Sequence, residues 1–378
     1  MWYKKCSWIF FACCFFLLLG GVSELRVSAE SDALADLAAE SGADNVTNSL
    51  DWDIQEMLAQ FGLDTVGDGD SFTLSAVWHL LGESLTAWIR QPMQLLGSLL
   101  TVILLAALFQ GMQGGRLEDS TVRMMDYVSA LVSAAILTTP LSDCFTGTET
   151  ALTQGAEFML LFVPVFAGIL AAGGLAGSAV CYQAAVLGLA DGLLQIISRV
   201  MLPLCTMCFA MAIVDAISPG ISIAGLLQLV KKTVTWAMGL LMTIFLGVLS
   251  LQNLLSSGTD TAATKTAKYL VSSVVPVVGN AVSDAYSTVQ SSLSVLRSST
   301  GVMGIAALCL LFLPPLIQIL LYRAVLALSA AMAELFGTAR LRRLLQGVGM
   351  ALGLAFALLV CFGVMFVVAT AIGTMHTG

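Results

Sequence analysis

The sequence has few charged residues and few histidines, and both shortages exclude classes of protein. Of its 378 residues, 11% are charged and 58% are hydrophobic, whereas a soluble domain carries about 25% charged and about 45–50% apolar residues. The histidines are His79 and His376 alone, which argues against a zinc site or a catalytic triad built on histidine. This composition differs from that of a typical soluble globular enzyme.

Catalytic and nucleotide-binding signatures are also missing. The chain contains no H-E-x-x-H, no G-x-S-x-G and no G-x-x-x-x-G-K-[ST], which are marks of metalloproteases, α/β-hydrolases and P-loop NTPases. Most of its cysteines lie in apolar runs, where cysteine usually acts as a small hydrophobic residue. The sequence therefore predicts a protein that is not an enzyme and that uses no cofactor, with no catalytic or metal-binding residues.

Long apolar runs are what the sequence has in abundance. Runs of roughly 17–22 residues are long enough to cross about 30 Å of hydrocarbon as a helix, and they lack the alternation of a membrane β-strand. We therefore predict an all-α, polytopic helical membrane protein with about 7–8 transmembrane helices. The candidate spans are 94–112, 124–140, 157–173, 178–198, 201–217, 234–253, 302–322 and 349–373.

The N-terminal segments predict that the N-terminal part of the chain crosses the membrane. Residues 1–29 have the basic, apolar and small-residue regions of a signal peptide, with an uncleaved anchor as the alternative. Residues 30–75 form an acidic lead without Lys or Arg, which does not favour nucleic acid. Lys and Arg concentrate in alternate predicted loops, which places the start of the mature chain outside the cytoplasm.

Three further segments complete the predicted organisation. Residues 76–253 form the first part of the membrane bundle and begin with an amphipathic helix, and residues 301–378 form the second part. Between them, 254–300 is rich in Ser and Thr, and we expect it to form an extracytoplasmic amphipathic hairpin unit. Its charged residues Lys265, Lys268 and Asp284 are candidates for contact with a partner.

Two proline-containing segments, around Pro164 and Pro276, resemble each other. Each proline is flanked by valines and followed by a glycine. Proline inside a helix frees backbone groups, and broken helices at matching places are typical of transport pathways. Either segment is a spanning helix or a re-entrant one, and a re-entrant Pro164 segment would lower the span count.

Polar side chains inside the predicted spans are the remaining candidates for function. Gln183, Asp191 and Gln195 are spaced by multiples of four, so they share one helix face. A charge in the bilayer is costly, so that face should meet the bundle interior, a cavity or a partner subunit. Asp215 could share the same space. The alternative is a hydrogen-bonded packing site without a role in conduction.

Short motifs give the chain a resemblance to a known family. Phe245-Leu246-Gly247-Val248, the run from Thr264 to Tyr269, the run from Val275 to Asn280, and Ser283-Asp284-Ala285 resemble the stage III sporulation protein AE family of endospore-forming Firmicutes. The resemblance covers roughly residues 72–375 and is most specific at 244–286.

The resemblance implies a role in sporulation. Members of this family are expected in the mother-cell membrane that surrounds the forespore. Their implied partners are the other stage III A operon proteins and the forespore stage II Q protein, in a channel or secretion-like complex needed for late forespore development. Self-association is a further expectation. The alternative function is a stand-alone secondary transporter with its site near Asp191.

Overall fold

The described chain is helical almost throughout and contains no strand in residues 74–111, 119–217, 223–274 and 279–374 of the computed structural model. Its side chains are described except at 74–87, 119–123, 224, 253–274, 279–290 and 292. The all-α class is confirmed. The predicted signal peptide at 1–29 and nearly all of the acidic lead at 30–75 lie outside the described residues.

The helices are long. In chain order they are α1 (Leu74–Gly111), α2 (Asp119–Ala172), α3 (Ala176–Ile196), a π-helical turn (Ile197–Met201), α4 (Leu202–Ile217), α5 (Ala224–Val274), α6 (Gly279–Leu335) and α7 (Ala339–Thr374). Within them, six stretches are long and apolar enough to cross a bilayer, namely 88–111, 124–172, 176–217, 225–252, 293–335 and 339–374.

The eight predicted spans therefore fall on six helical stretches. The windows 124–140 and 157–173 share α2, and the windows 178–198 and 201–217 share the continuous run of α3, the π-helical turn and α4. A continuous helix does not reverse direction, so neither pair of windows makes two opposed crossings. The amphipathic segment before residue 90 likewise runs without interruption into the first span as α1.

The polar stretch in the middle of α2 is helical, and its hydroxyl groups bond to the helix itself. Thr146, Thr148 and Thr150 donate hydrogen bonds of 2.9, 2.7 and 3.0 Å to the carbonyls of Ser142, Cys144 and Thr146. Bonds of this kind satisfy a hydroxyl inside a helix. Residues 141–156, which lie between two predicted spans, form the centre of a helix instead of a loop.

A proline explains the π-helical turn that joins α3 to α4. Pro203 has no N–H, and its ring crowds the carbonyl one turn earlier. One turn before it the helix widens, and the N–H of Leu202 bonds to the carbonyl of Ile197. A π-turn relieves such a conflict without ending the helix, so the two predicted spans become one.

Glycines end two of the long helices. Gly174 follows α2 and Gly337 follows α6, and both have positive φ, at 82° and 75°. After α2, the N–H of Leu175 bonds to the carbonyl of Leu170 at 3.1 Å, and the same pattern follows α6. This is the Schellman arrangement, in which a left-handed glycine turns the chain out of the helix. The result is a tight reversal into α3 and into α7.

α7 is the central helix of the bundle. Along it, exposed residues occur at Ala339, Arg343 and Gln346 and nowhere later, as expected of a helix that is apolar on all sides. It packs against α2, α4, α5 and α6. Close approach to α4 depends on Gly347, where an added Cβ would lie 2.7 Å from the Cβ of Ala212.

The bundle has two ends that are defined by contacts between helix termini. At the Arg340 end, the Arg340 guanidinium lies 3.7 Å from the centre of the Tyr127 ring and 3.4 Å from the Ala216 carbonyl. Gln110 donates to Asp126 at 2.9 Å nearby. α1 and α4 therefore end where α2 and α7 begin. The opposite Thr374 end contains the α2–α3 turn and the end of α7.

We predict that Gly347→Ala lowers the stability of the protein, whereas Gly349→Ala does not. A methyl group at 347 meets Ala212, and overpacking typically costs about 1–3 kcal/mol. Nothing lies within 4 Å of a Cβ at 349, where alanine is favoured in a helix by up to about 1 kcal/mol. Thermal unfolding in detergent, followed by tryptophan fluorescence, measures the difference. Equal melting temperatures for the two variants would contradict the packing of α7 on α4.

Candidate functional site

The polar residues predicted on one face of α3 point away from the bundle. Asp191 and Gln195 are exposed and Gln183 is half-buried. The Gln195 side-chain amide donates a hydrogen bond of 3.1 Å to the Asp191 carboxylate. Of the three environments that we considered for this face, the interior of the subunit is excluded for Asp191 and Gln195. A cavity or a partner subunit remains for these two residues.

Small residues flank this pair on the same face of α3. Gly188 and Gly192 are exposed, and no atom lies within 4 Å of a Cβ built on either glycine. Together with Asp191 and Gln195 they form the α3 polar face. Its surface is open, shallow and polar, and it offers a hydrogen-bonding carboxylate beside exposed helix backbone.

Asp215 does not share the space of Asp191. It lies at the far end of the same continuous helix, about 36 Å away at a rise of 1.5 Å per residue. There its carboxylate accepts a hydrogen bond of 2.8 Å from the N–H of Ile223, immediately before α5. A carboxylate stabilises the unpaired N–H groups at a helix start, so Asp215 has a structural role.

Two arginines that the sequence analysis did not select lie inside the bundle. Arg297 is buried, and its guanidinium donates a hydrogen bond of 2.6 Å to the Thr374 carbonyl at the end of α7. A cation is favoured at the end of a helix, where carbonyls lack partners. We had expected Arg297 on the surface of the 254–300 unit, and it is buried instead. The extracytoplasmic placement of that unit stays a prediction.

Arg323 is half-buried on α6 and faces α7 at a glycine. An added Cβ on Gly353 would lie 3.3 Å from the central carbon of its guanidinium. The close approach of a planar guanidinium to helix backbone needs a glycine there. The sequence contains the signal, since Arg323 follows one predicted span and Gly353 lies in the next, but their pairing is visible only in the structure.

Pro164 is exposed within α2, and the helix passes through it unbroken. Its neighbours Phe162 and Phe166 are buried and stack with ring centroids 5.5 Å apart. The pattern around this proline thus places aromatic rings in the core, and the re-entrant alternative does not apply to it. Pro276 lies outside the described residues.

Comparison with known proteins identifies the family. The family model described as stage III sporulation protein AE matches residues 58–377. The chain belongs to the stage III sporulation protein AE family. Stage III sporulation protein AE of Bacillus subtilis (strain 168) is 26% identical over 274 residues, which cover 72% of this chain and 68% of that relative. No solved structure matches the chain.

Membership of the stage III sporulation protein AE family confirms the resemblance drawn from the motifs at 244–286. Together with the apolar helices, it makes the chain a multi-pass membrane protein with a role in sporulation. Phe245, which begins the first motif, is fully buried on α5. Lys265, Lys268 and Asp284 lie on the helical stretches of α5 and α6 whose side chains are outside the described set.

We predict that Asp191→Asn leaves the stability of the protein unchanged, whereas Arg297→Gln lowers it. Asp191 is exposed, and asparagine retains an acceptor for Gln195. Loss of the Arg297 bond to Thr374 removes a charge-assisted hydrogen bond in a buried place, which costs about 1.5–3 kcal/mol. Melting temperatures in detergent test both variants. An Asp191→Asn variant as unstable as Arg297→Gln would show that Asp191 is a packing residue.

Proposed function

We propose that this family member is an integral membrane subunit of a channel or secretion-like complex that links mother cell and forespore. In this proposal it supports late forespore development as a scaffold or channel-forming subunit, without catalysis and without a cofactor. Its partners are the other stage III A operon proteins and the forespore stage II Q protein. Family membership supports the sporulation role, and the α3 polar face supports work in a complex.

The orientation that we propose places the Arg340 end in the cytoplasm of the mother cell. Arg340, Arg342 and Arg343 lie in the first turns of α7, and Lys231 and Lys232 lie near the start of α5. Positive charge in short loops favours the cytoplasmic side. With six crossings, both the acidic lead and the end of α7 then face the space between the two cells.

The outward position of Asp191 is the observation that favours a subunit over a stand-alone transporter. A transporter holds its ion and substrate at the centre of its own bundle, between repeats or broken helices. Here the Asp191 carboxylate and Gln195 are exposed, and the helix at Pro164 is unbroken. A conduit that uses Asp191 would therefore have to be completed by another subunit, either a partner protein or a second copy.

Sporulation of the native host tests the proposal. We expect Lys265→Glu combined with Lys268→Glu to lower the yield of heat-resistant spores towards that of a deletion strain. The same variant should lose co-purification with the stage III A proteins and the stage II Q protein, because it reverses the charge of the partner-facing segment. Asp191→Asn should sporulate normally, since a scaffold needs no titrating group there.

The control is Lys232→Gln, which removes one exposed lysine of the same helix near the opposite end and leaves the α7 arginines to favour the cytoplasmic side. It should keep both spore yield and co-purification, provided that immunoblots show equal protein levels in all strains. Two results would oppose the proposal. One is loss of sporulation in Asp191→Asn with the complex intact, which is the behaviour of an ion-coupled transporter. The other is a deletion strain that forms heat-resistant spores at the normal yield.

A further inference from the structure

The helices are too long for a single bilayer. α7 has 36 residues and rises about 53 Å from the Arg340 end to the Thr374 end, at 1.5 Å per residue. The hydrocarbon of a bilayer is about 30 Å thick. α7 is buried in the bundle, so its neighbours cover the same height, and a large part of the bundle must stand outside the hydrocarbon.

On three different helices, an exposed charged residue lies at a similar height above the Arg340 end of the bundle. Counted from the Arg340 end, the first exposed charge is Arg90 on α1, Asp143 on α2 and Arg199 in the π-helical turn. Helical rise places them about 30, 25 and 25 Å from Gln110, Asp126 and Ala216 respectively, which are residues of the Arg340 end. The lengths without an exposed charge, about 25–30 Å, are close to the thickness of hydrocarbon, which is about 30 Å.

Between these charges and the Arg340 end, most of the large exposed side chains of α1, α2, α4 and α6 are apolar, whereas α5 exposes Lys232 between Leu229 and Trp236. Large apolar side chains are exposed on α1 from Met93 to Leu108, on α2 from Met124 to Val132, on α4 from Met207 to Val214, and on α6 from Leu320 to Leu335. An exposed apolar band of this height on several helices is what a membrane protein presents to lipid tails. We call this band the lipid belt.

The exposed surface beyond the charged level is of another kind. Glu149 and Glu157 on α2 and Asp191 on α3 are exposed there, beside the open glycines of the α3 polar face. If hydrocarbon surrounded this half, it would contact three carboxylates, and an unpaired charge in hydrocarbon has a high free-energy cost. Large apolar side chains are also exposed in this half, at Leu160, Leu161, Val180 and Ile196.

We propose that bilayer hydrocarbon contacts the lipid belt alone, and that the half of the bundle next to the α2–α3 turn projects into the aqueous phase. The α3 polar face then lies in water, above the membrane surface and open to other proteins. α5 adds apolar surface slightly beyond the belt, since its exposed apolar side chains continue to Leu251. This inference goes beyond the proposed function and does not depend on which side of the membrane the projecting half occupies.

Thiol labelling in lipid nanodiscs, which expose both membrane faces, tests the proposal on the full chain with one copy per disc. In a cysteine-free background, single cysteines are placed at the native position Cys181, at Glu149→Cys, at Leu105→Cys and at Met207→Cys. A membrane-impermeant maleimide is added, and rates are divided by those of the denatured protein. We expect the first two positions to react roughly tenfold or more faster than the last two, because the reactive thiolate does not form in hydrocarbon.

The wild-type protein provides a second measurement that requires no substitution. Cys181 is exposed, whereas Cys144, Cys205 and Cys208 are buried, so peptide mass spectrometry after brief labelling should find the Cys181 peptide modified and those of the buried thiols unmodified. The proposal is overturned if Cys181 and Glu149→Cys react as slowly as Leu105→Cys. It is equally overturned if all four positions react at the same rapid rate.

Discussion

A backbone that crosses hydrocarbon must satisfy its own hydrogen bonds, and most of this structure follows from that constraint. Polar stretches are helical as well, including the threonine stretch of α2 just beyond the lipid belt. The threonines of α2 bond back to the helix, and the π-helical turn before Pro203 re-pairs the backbone without ending the helix. The helices extend well beyond the length of one crossing, and two of them end where a glycine with positive φ turns the chain.

The packing of the long helices depends on small residues at a few contacts. Because glycine has no side chain, α4 can approach Gly347 closely, the Arg323 guanidinium can approach Gly353, and the Phe166 ring can approach Gly373. α7 can be surrounded on all sides because these contacts bring its neighbours close. The two exposed surfaces of the bundle then differ for a physical reason. One meets lipid tails and is apolar, whereas the other carries carboxylates and open glycines.

Hydropathy was sufficient to predict the helical class and the six long apolar helical stretches. It overestimated the number of spans because a window of about 20 residues divides any apolar helix that is twice that length. The face shared by Asp191 and Gln195 was correctly predicted from their spacing, but spacing does not say what the face meets. Asp215 was grouped with them because two short spans were assumed to reverse direction between them.

Arg297, which is buried, illustrates a second limit of the sequence. Arg297 lies in a Ser-rich stretch that looks like an aqueous surface, and its partner is a carbonyl at the end of α7, 77 residues further along the chain. A bond to a backbone carbonyl leaves no trace in residue type. By contrast, the motifs at 244–286 identified the family without any structural information, because the comparison uses residue identity alone.

Cryo-electron microscopy of the full chain in a lipid nanodisc would test the central claim most directly, since it shows the height at which lipid surrounds the bundle. The account predicts that disc density extends from the Arg340 end to the level of Asp143 and Arg199. The α2–α3 turn at Gly174 and the carboxylate of Asp191 would then stand clear of the disc. Disc density that encloses Asp191 and reaches the turn at Gly174 would contradict it.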